Sequence, residues 1–271
     1  MPARNSLPID LRDWPDGRHR VSIPDAISIS AALLRRSCCL LLAWLCLALP
    51  SHAAGFEDTL AQRLLACTGC HGENGRAEGN VYFPRIAGKP AGYLLNQLRN
   101  FRDGRRNYAL MTSMVEFLDD AYLQEIAQYF SALDLPYPAP PPLALTPDQQ
   151  AQARRLVTHG DPVRDITACS TCHGPALTGF APHVPGLLGL PRDYINAQLG
   201  AWKTGQRRTH GPDCMATIAK ALSSGEVALI SQWLSAQPLP PDTHAVAGLP
   251  AGVAAAPRPV CASAPELARG R

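Results

Sequence analysis

The sequence predicts an all-α protein built from two tandem copies of one helical unit. Three observations carry that prediction. First, the chain repeats itself: Cys67-Thr68-Gly69-Cys70-His71-Gly72 returns as Cys169-Ser170-Thr171-Cys172-His173-Gly174. Pro84, Gly88, Pro90, Tyr93, Gln97, Leu98 and Gly104 return 101 positions later as Pro185, Gly189, Pro191, Tyr194, Gln198, Leu199 and Gly205. A duplicated unit of roughly 80–90 residues is the size of a small domain. Second, apolar residues recur at helical spacing, and no segment sustains the period-two alternation of a strand. Third, Gly and Pro gather in residues 72–92 and 174–191, which read as loops between helices.

Taken in chain order, residues 33–53 read LLRRSCCLLLAWLCLALPSHA. Arg35 and Arg36 precede an apolar run from Ser37 to Leu49, and Ser51-His52-Ala53 supplies a small-residue cleavage site. That is the pattern of a secretory signal, cut after Ala53 or Ala54. The apolar run is shorter than a membrane span needs, which disfavours the alternative of an uncleaved anchor. Residues 1–53 are therefore expected to be a signal peptide with an extended N-terminal region, and the mature protein to be periplasmic. Residues 54–135 form the first unit, 136–147 a Pro-rich linker, 148–237 the second unit, and 238–271 a Pro/Ala-rich tail expected to be disordered.

Within the units, Phe56–Ala66 and Asp148–Val157 are each expected to form a helix running into the Cys motif. Tyr93, Leu94, Leu95, Leu98 and Phe101 mark one face of another helix. Asp119 can cap a helix ending near Ala132, and Ser223 with Glu226 forms a capping box for its counterpart.

Composition narrows the function. With 46% hydrophobic and 17% charged residues, the chain is neither collagen-like nor mostly disordered nor multi-span. A formal charge of +3 is too small to point to nucleic acid. Of nine cysteines, Cys38, Cys39 and Cys46 leave with the signal, and six remain for an oxidising compartment.

Four of those six lie in the two Cys-x-x-Cys-His motifs, the pattern of c-type haem attachment. Cysteines at i and i+3 share a helix face, so both thiols can reach the vinyl groups of one porphyrin. The following His can then ligate the iron. Cys67 and Cys70 are thus expected to hold one haem, with His71 as iron ligand, and Cys169 and Cys172 a second, with His173. A zinc site is the weaker reading, because the pairs sit in separate repeats and zinc requires no His after each.

The sixth ligands follow from the repeat. Met111 lies seven residues before Leu118, and Met215 seven before Leu222. Met114 matches Ile218, a packing position. Met111 and Met215 are therefore expected to complete the two iron sites, an arrangement that raises the reduction potential. His159, His183, His210 and His244 are rivals, His210 the nearest to Met215. Cys214 is open between a free thiol, a disulfide with Cys261 and a thiolate ligand. Pro84 and Pro185 are placed to accept the second ring N–H of each His. Tyr93 and Arg85 are candidates to touch haem propionates.

At these residues the chain resembles the cytochrome c4 family, dihaem relatives of the class I cytochromes c. The resemblance rests on CTGCHGENG at 67–75, FPRIAGKPAGYLLNQL at 83–98, MTSM at 111–114 and EIAQYF at 125–130. The second copy adds CSTCHG at 169–174, LPRDYINAQL at 190–199 and MATIAKALS at 215–223. It implies two tandem helical domains, each wrapped around one covalently attached haem. It also implies a periplasmic electron carrier, with no catalytic residues, between a respiratory complex or dehydrogenase and a terminal oxidase. Such partners are redox proteins; no nucleic acid is involved, and membrane contact comes through partners alone. The alternatives are a haem enzyme, such as a dihaem peroxidase or a thiosulfate-oxidising cytochrome, and a cytochrome subunit of a larger dehydrogenase. Gly186 in place of the first copy's Arg85, Cys214 and the 34-residue tail depart from the family pattern.

Overall fold

The structure is a computed structural model that describes residues 34–42, 44, 57–77, 82–248 and 258–268. The signal cleavage site and most of the N-terminal region lie outside the described residues. The chain divides into two compact units, Met1–Glu57 and Asp58–Arg271. In the first, residues 34–42 and 44 are helical, with Leu34, Leu40, Leu41, Leu42 and Trp44 exposed. No helix among the described residues is long and apolar enough to cross a membrane.

The second unit holds both repeats, and nearly all its regular secondary structure is helical. The first repeat comprises α1 (Leu60–Arg63), α2 (Leu65–His71), α3 (Ala91–Arg102), α4 (Ala109–Val115) and α5 (Asp120–Ser131). The second comprises α6 (Pro147–Thr158), α7 (Cys169–His173), α8 (Arg192–Thr204), α9 (Cys214–Ala221) and α10 (Ser224–Ser235). A two-residue antiparallel ladder, β1 (Gly179–Phe180) with β2 (Val184–Pro185), interrupts the second repeat.

The caps form where the sequence places them. Asp119 accepts from the Tyr122 N–H at 2.8 Å, and Ser223 and Glu226 form the reciprocal capping box. Thr146 and Gln149 make a second such box at the start of α6. Each repeat has its own apolar core. In the first, α3 packs on α5 through Leu94, Leu95, Phe101, Leu123, Ile126 and Phe130. In the second, α10 packs on α6 and α8 through Leu156, Ile195, Leu199, Trp202, Val227, Ile230 and Leu234.

Two expectations need correction. The helix before the second Cys motif does not run into it: α6 ends at Thr158, and residues 159–168 intervene as a loop with a 3-10 turn at Pro162–Arg164. Pro162 cannot continue a helical hydrogen-bond ladder, and Asp161 caps the turn instead by accepting from Val163 and Arg164. Residues 258–268, assigned by composition to a disordered tail, are packed on the second repeat. Cys261 forms a disulfide with Cys214, and Cys261, Ala264 and Leu267 are buried against Phe180 and Val184. A covalent tie removes chain entropy that composition alone cannot foresee.

The linker runs without helix or strand between α5 and α6. Arg85 fastens it, donating to Leu135 O at 2.5 Å and Pro136 O at 3.1 Å and stacking over the Tyr137 ring at 3.9 Å.

Candidate haem sites

His71 ends α2 and His173 ends α7, each just before a glycine with positive φ that turns the chain away. Both rings are buried, 8% and 7% exposed. Each donates from Nδ1 to a proline carbonyl, Pro84 O and Pro185 O, at 2.8 Å in both cases. That bond fixes the tautomer and leaves Nε2 with its lone pair, and it makes no hydrogen bond among the described residues. Burial pushes both imidazoles below their ordinary pKa, against the opposing carbonyl, so the neutral form that a metal binds prevails.

The four motif cysteines are not joined in disulfides. Burial raises the pKa of Cys67 and Cys172 and pushes Cys169 up to about 12. A cavity of about 380 Å³ runs between the repeats. Its wall brings together Cys67, Cys70, His71 and Met111 from the first repeat and Cys169, Cys172, His173 and Met215 from the second. Met114 and Ile218 also line it. All eight sequence-predicted residues therefore face one shared space.

The rivals fare differently. His159, His210 and His244 do not line the cavity. His183 does, but its Nδ1 is paired with Glu266 Oε2 at 2.9 Å. Of the three states open to Cys214, the disulfide with Cys261 is the one formed. His210 and Cys214 thus offer the cavity no alternative ligand.

Sequence reasoning missed the groups at the centre. Arg106 and Arg207 are buried, 8% and 4% exposed, and their backbones meet in an antiparallel bridge. Arg106 donates to Gln97 at 2.9 Å and to Gln198 at 2.7 Å; Arg207 donates to the same two oxygens at 2.9 and 3.0 Å. Arg106 also donates to the Tyr194 hydroxyl at 3.1 Å. Each guanidinium stacks on an aromatic ring, Phe101 at 4.4 Å and Trp202 at 3.8 Å. Among the described residues neither cation has a carboxylate partner, and Arg207 Nε is buried without any partner. Burial, with Arg106 adding to it, lowers the Arg207 pKa. For Tyr194 burial acts upward, but Arg106 and Arg207 outweigh it and the phenol falls below its ordinary value. The signal was present: Arg106 and Arg207 close the repeated segment at the same offset of 101.

This wall fits haem. It offers two neutral imidazoles, two thiol pairs, two thioethers, apolar surface, and two buried cations suited to ionised propionates. Arg85 and Tyr93, the two candidates to touch a propionate, both line the cavity, and the Arg85 guanidinium bonds the linker carbonyls.

Such a fold and site define a dihaem c-type cytochrome. No protein-family model matches the chain. It is 39% identical over 182 residues to a thiosulfate dehydrogenase electron acceptor of Thiomonas intermedia, covering 67% of this chain and 83% of that one. It is 32% identical over 186 residues to a cytochrome c4 of Pseudomonas aeruginosa, covering 68% of this chain and 90% of that one. Among solved structures, reduced cytochrome c4 from Pseudomonas stutzeri superposes with a TM-score of 0.55 at 28% identity, covering 64% of this chain and 94% of that one. A thiosulfate dehydrogenase from Marichromatium purpuratum superposes with a TM-score of 0.56 at 34% identity; 64% of this chain matches, spanning 36% of that longer chain. The chain belongs to the cytochrome c4 family. It carries two covalently attached haem groups and is an electron carrier rather than an enzyme.

Proposed function

We propose that Cys67 and Cys70 attach the first haem and Cys169 and Cys172 the second, with His71/Met111 and His173/Met215 as the axial pairs. The protein then acts as a periplasmic shuttle that takes electrons from a dehydrogenase and passes them to a respiratory complex or terminal oxidase. A thiosulfate dehydrogenase is the donor best supported, because the 39% identical relative bears the name of its electron acceptor. One observation carries the site assignment: a buried imidazole held on a proline carbonyl is built twice, each time beside a methionine in register on the same cavity wall.

When bound, each haem supplies an iron that cycles between the ferric and ferrous states. The chain's own residues do the rest. The carbonyl-held imidazoles are basic ligands, the thioethers favour the ferrous state, and the apolar wall excludes water. Arg106 and Arg207 are placed to neutralise propionate charge between the two halves. A histidine and a methionine held for each iron would leave no open position for substrate. Partners are expected to bind weakly and briefly, as in other redox encounters.

The test is spectroscopic. The oxidised holoprotein should contain two haems per chain and show the far-red charge-transfer band of methionine-ligated ferric haem. Met111→Ala and Met215→Ala should each remove about half of that band while both haems stay attached. An unchanged band in either variant disproves that ligand. Reduction of the holoprotein by thiosulfate in the presence of a thiosulfate dehydrogenase checks the donor.

A further inference from the structure

We propose that residues 258–268 are a strap that seals the edge of the second haem, so that one-electron exchange with partner proteins runs through the first. The inference rests on the axial and attachment residues assigned above. It starts from Cys214 and Leu110, which stand at the same place, one residue before each methionine. Leu110 is 59% exposed, whereas Cys214 is 8% exposed and bonded to Cys261. The second cysteines of the two motifs differ the same way. Cys70 is exposed; Cys172 is partly buried and packs against the cluster of Cys214, Cys261, Ala264 and Leu267. A thioether forms at the periphery of the porphyrin, so the exposure of its cysteine marks the exposure of that haem edge.

The strap is held at several points besides the disulfide. Ala262 N–H donates to Pro212 O at 3.0 Å, and Asn96 of the first repeat donates to Ser263 O at 3.1 Å. Glu266 accepts from His183 N–H at 3.2 Å and bonds its Nδ1 at 2.9 Å. Arg258 Nε closes the strap on itself through Leu267 O at 3.2 Å. Cys261, Ser263, Ala264 and Leu267 line the cavity, so the strap is part of the wall of the second site. The first repeat has no such cover among the described residues: Leu110, Met114 and Phe117 are 59%, 45% and 90% exposed around α4. Electron transfer falls steeply with distance, so a sealed edge exchanges slowly with an external centre. Each exchange moves a single electron between a reduced donor centre and the cytochrome, and no bond is made or broken.

The test uses three oxidised holoproteins: the intact protein, C214S/C261S, and C214S with the chain ended after Gly248. Haem content and the far-red band are measured first on each, because their absence from the intact protein would overturn the ligand assignment rather than the strap. NMR signals of the two haems are then recorded with a soluble gadolinium chelate. In the intact protein the first haem's signals should broaden more than the second's. Ending the chain at Gly248 should bring the second haem's broadening up to that of the first, and C214S/C261S should fall between. The rate constant for direct reduction of the second haem by a small inorganic one-electron reductant should rise in the same order. Equal broadening of the two haems in the intact protein, or no change on removing the strap, overturns the proposal.

Discussion

Leu110 and Cys214 occupy one place in two copies of the same unit, and their surroundings are opposites. Around Leu110 the first repeat presents apolar side chains to solvent. Around Cys214 the second repeat is closed by a disulfide and a strap from its own C-terminal tail. The imidazole–carbonyl bonds, by contrast, are the same in both copies, 2.8 Å each. The two copies keep the buried imidazole–carbonyl pair alike and differ at the periphery. The symmetric part makes two similar sites; the asymmetric part gives them different access.

The largest effect is expected where the two copies meet. Arg207→Gln removes two charge-assisted bonds and the stack on Trp202, and it should cost about 3 kcal/mol by chemical denaturation of the oxidised holoprotein. Arg106→Gln, on the less closely stacked Phe101, should cost somewhat less. The double variant should cost less than the sum, because both cations share Gln97 and Gln198. Strict additivity would show that the two arginines are independent and that the central symmetry is incidental.

A smaller effect should separate Gly88 from Gly189, equivalent positions with φ of 71° and 68°. A β-carbon at Gly88 would approach Leu133 O at 3.2 Å, whereas at Gly189 it would lie 2.4 Å from the Tyr137 ring that Arg85 covers. Gly88→Ala should cost about 1 kcal/mol, the left-handed backbone penalty. Gly189→Ala should cost about 3 kcal/mol, because it must also displace the linker. Thermal melts of the two variants check the difference, and equal costs would mean that Tyr137 moves aside freely.

The smallest effect is set by pH. Hydrogen bonds from Arg164, more than burial opposes, bring the Glu226 carboxyl down to about 2. A carboxylate with a depressed folded pKa contributes stability above its ordinary pKa, and that contribution fades as pH falls through the folded value. The support of α10 should therefore weaken between about pH 4.5 and pH 2. Glu226→Gln should remove that part of the acid dependence and cost roughly 1 kcal/mol at neutral pH through the weakened capping box. Acid titrations of both proteins by circular dichroism measure it; parallel curves would show that the Arg164 pair does not couple to folding.

Much of this was legible because it is local or repeated. Asp119 and the Ser223/Glu226 box announced their helices, since a cap needs only residues three apart. The register of Met111 and Met215 could be read because a duplicated sequence is compared with itself. The end of α6 was legible to within a residue, but the loop at 159–168 was not, because the helical pattern does not state how far the chain runs before the next helix begins. Nor was the fate of Cys214, because a disulfide depends on two backbones approaching, here to 4.9 Å between Cα atoms across 47 residues.

The sequence by itself determined the helical class, the two-fold repeat, the two thiol pairs and the histidine that follows each. These are matters of spacing, and helical spacing is fixed by backbone geometry alone. Tertiary structure decided that both Cys-x-x-Cys-His motifs face one cavity, that Arg106 and Arg207 are buried together with no carboxylate partner among the described residues, and that residues 258–268 are tied to Cys214 of the second repeat. Those outcomes depend on burial and on the meeting of distant segments, which cost nothing to write in a sequence and become energies only when the chain is packed.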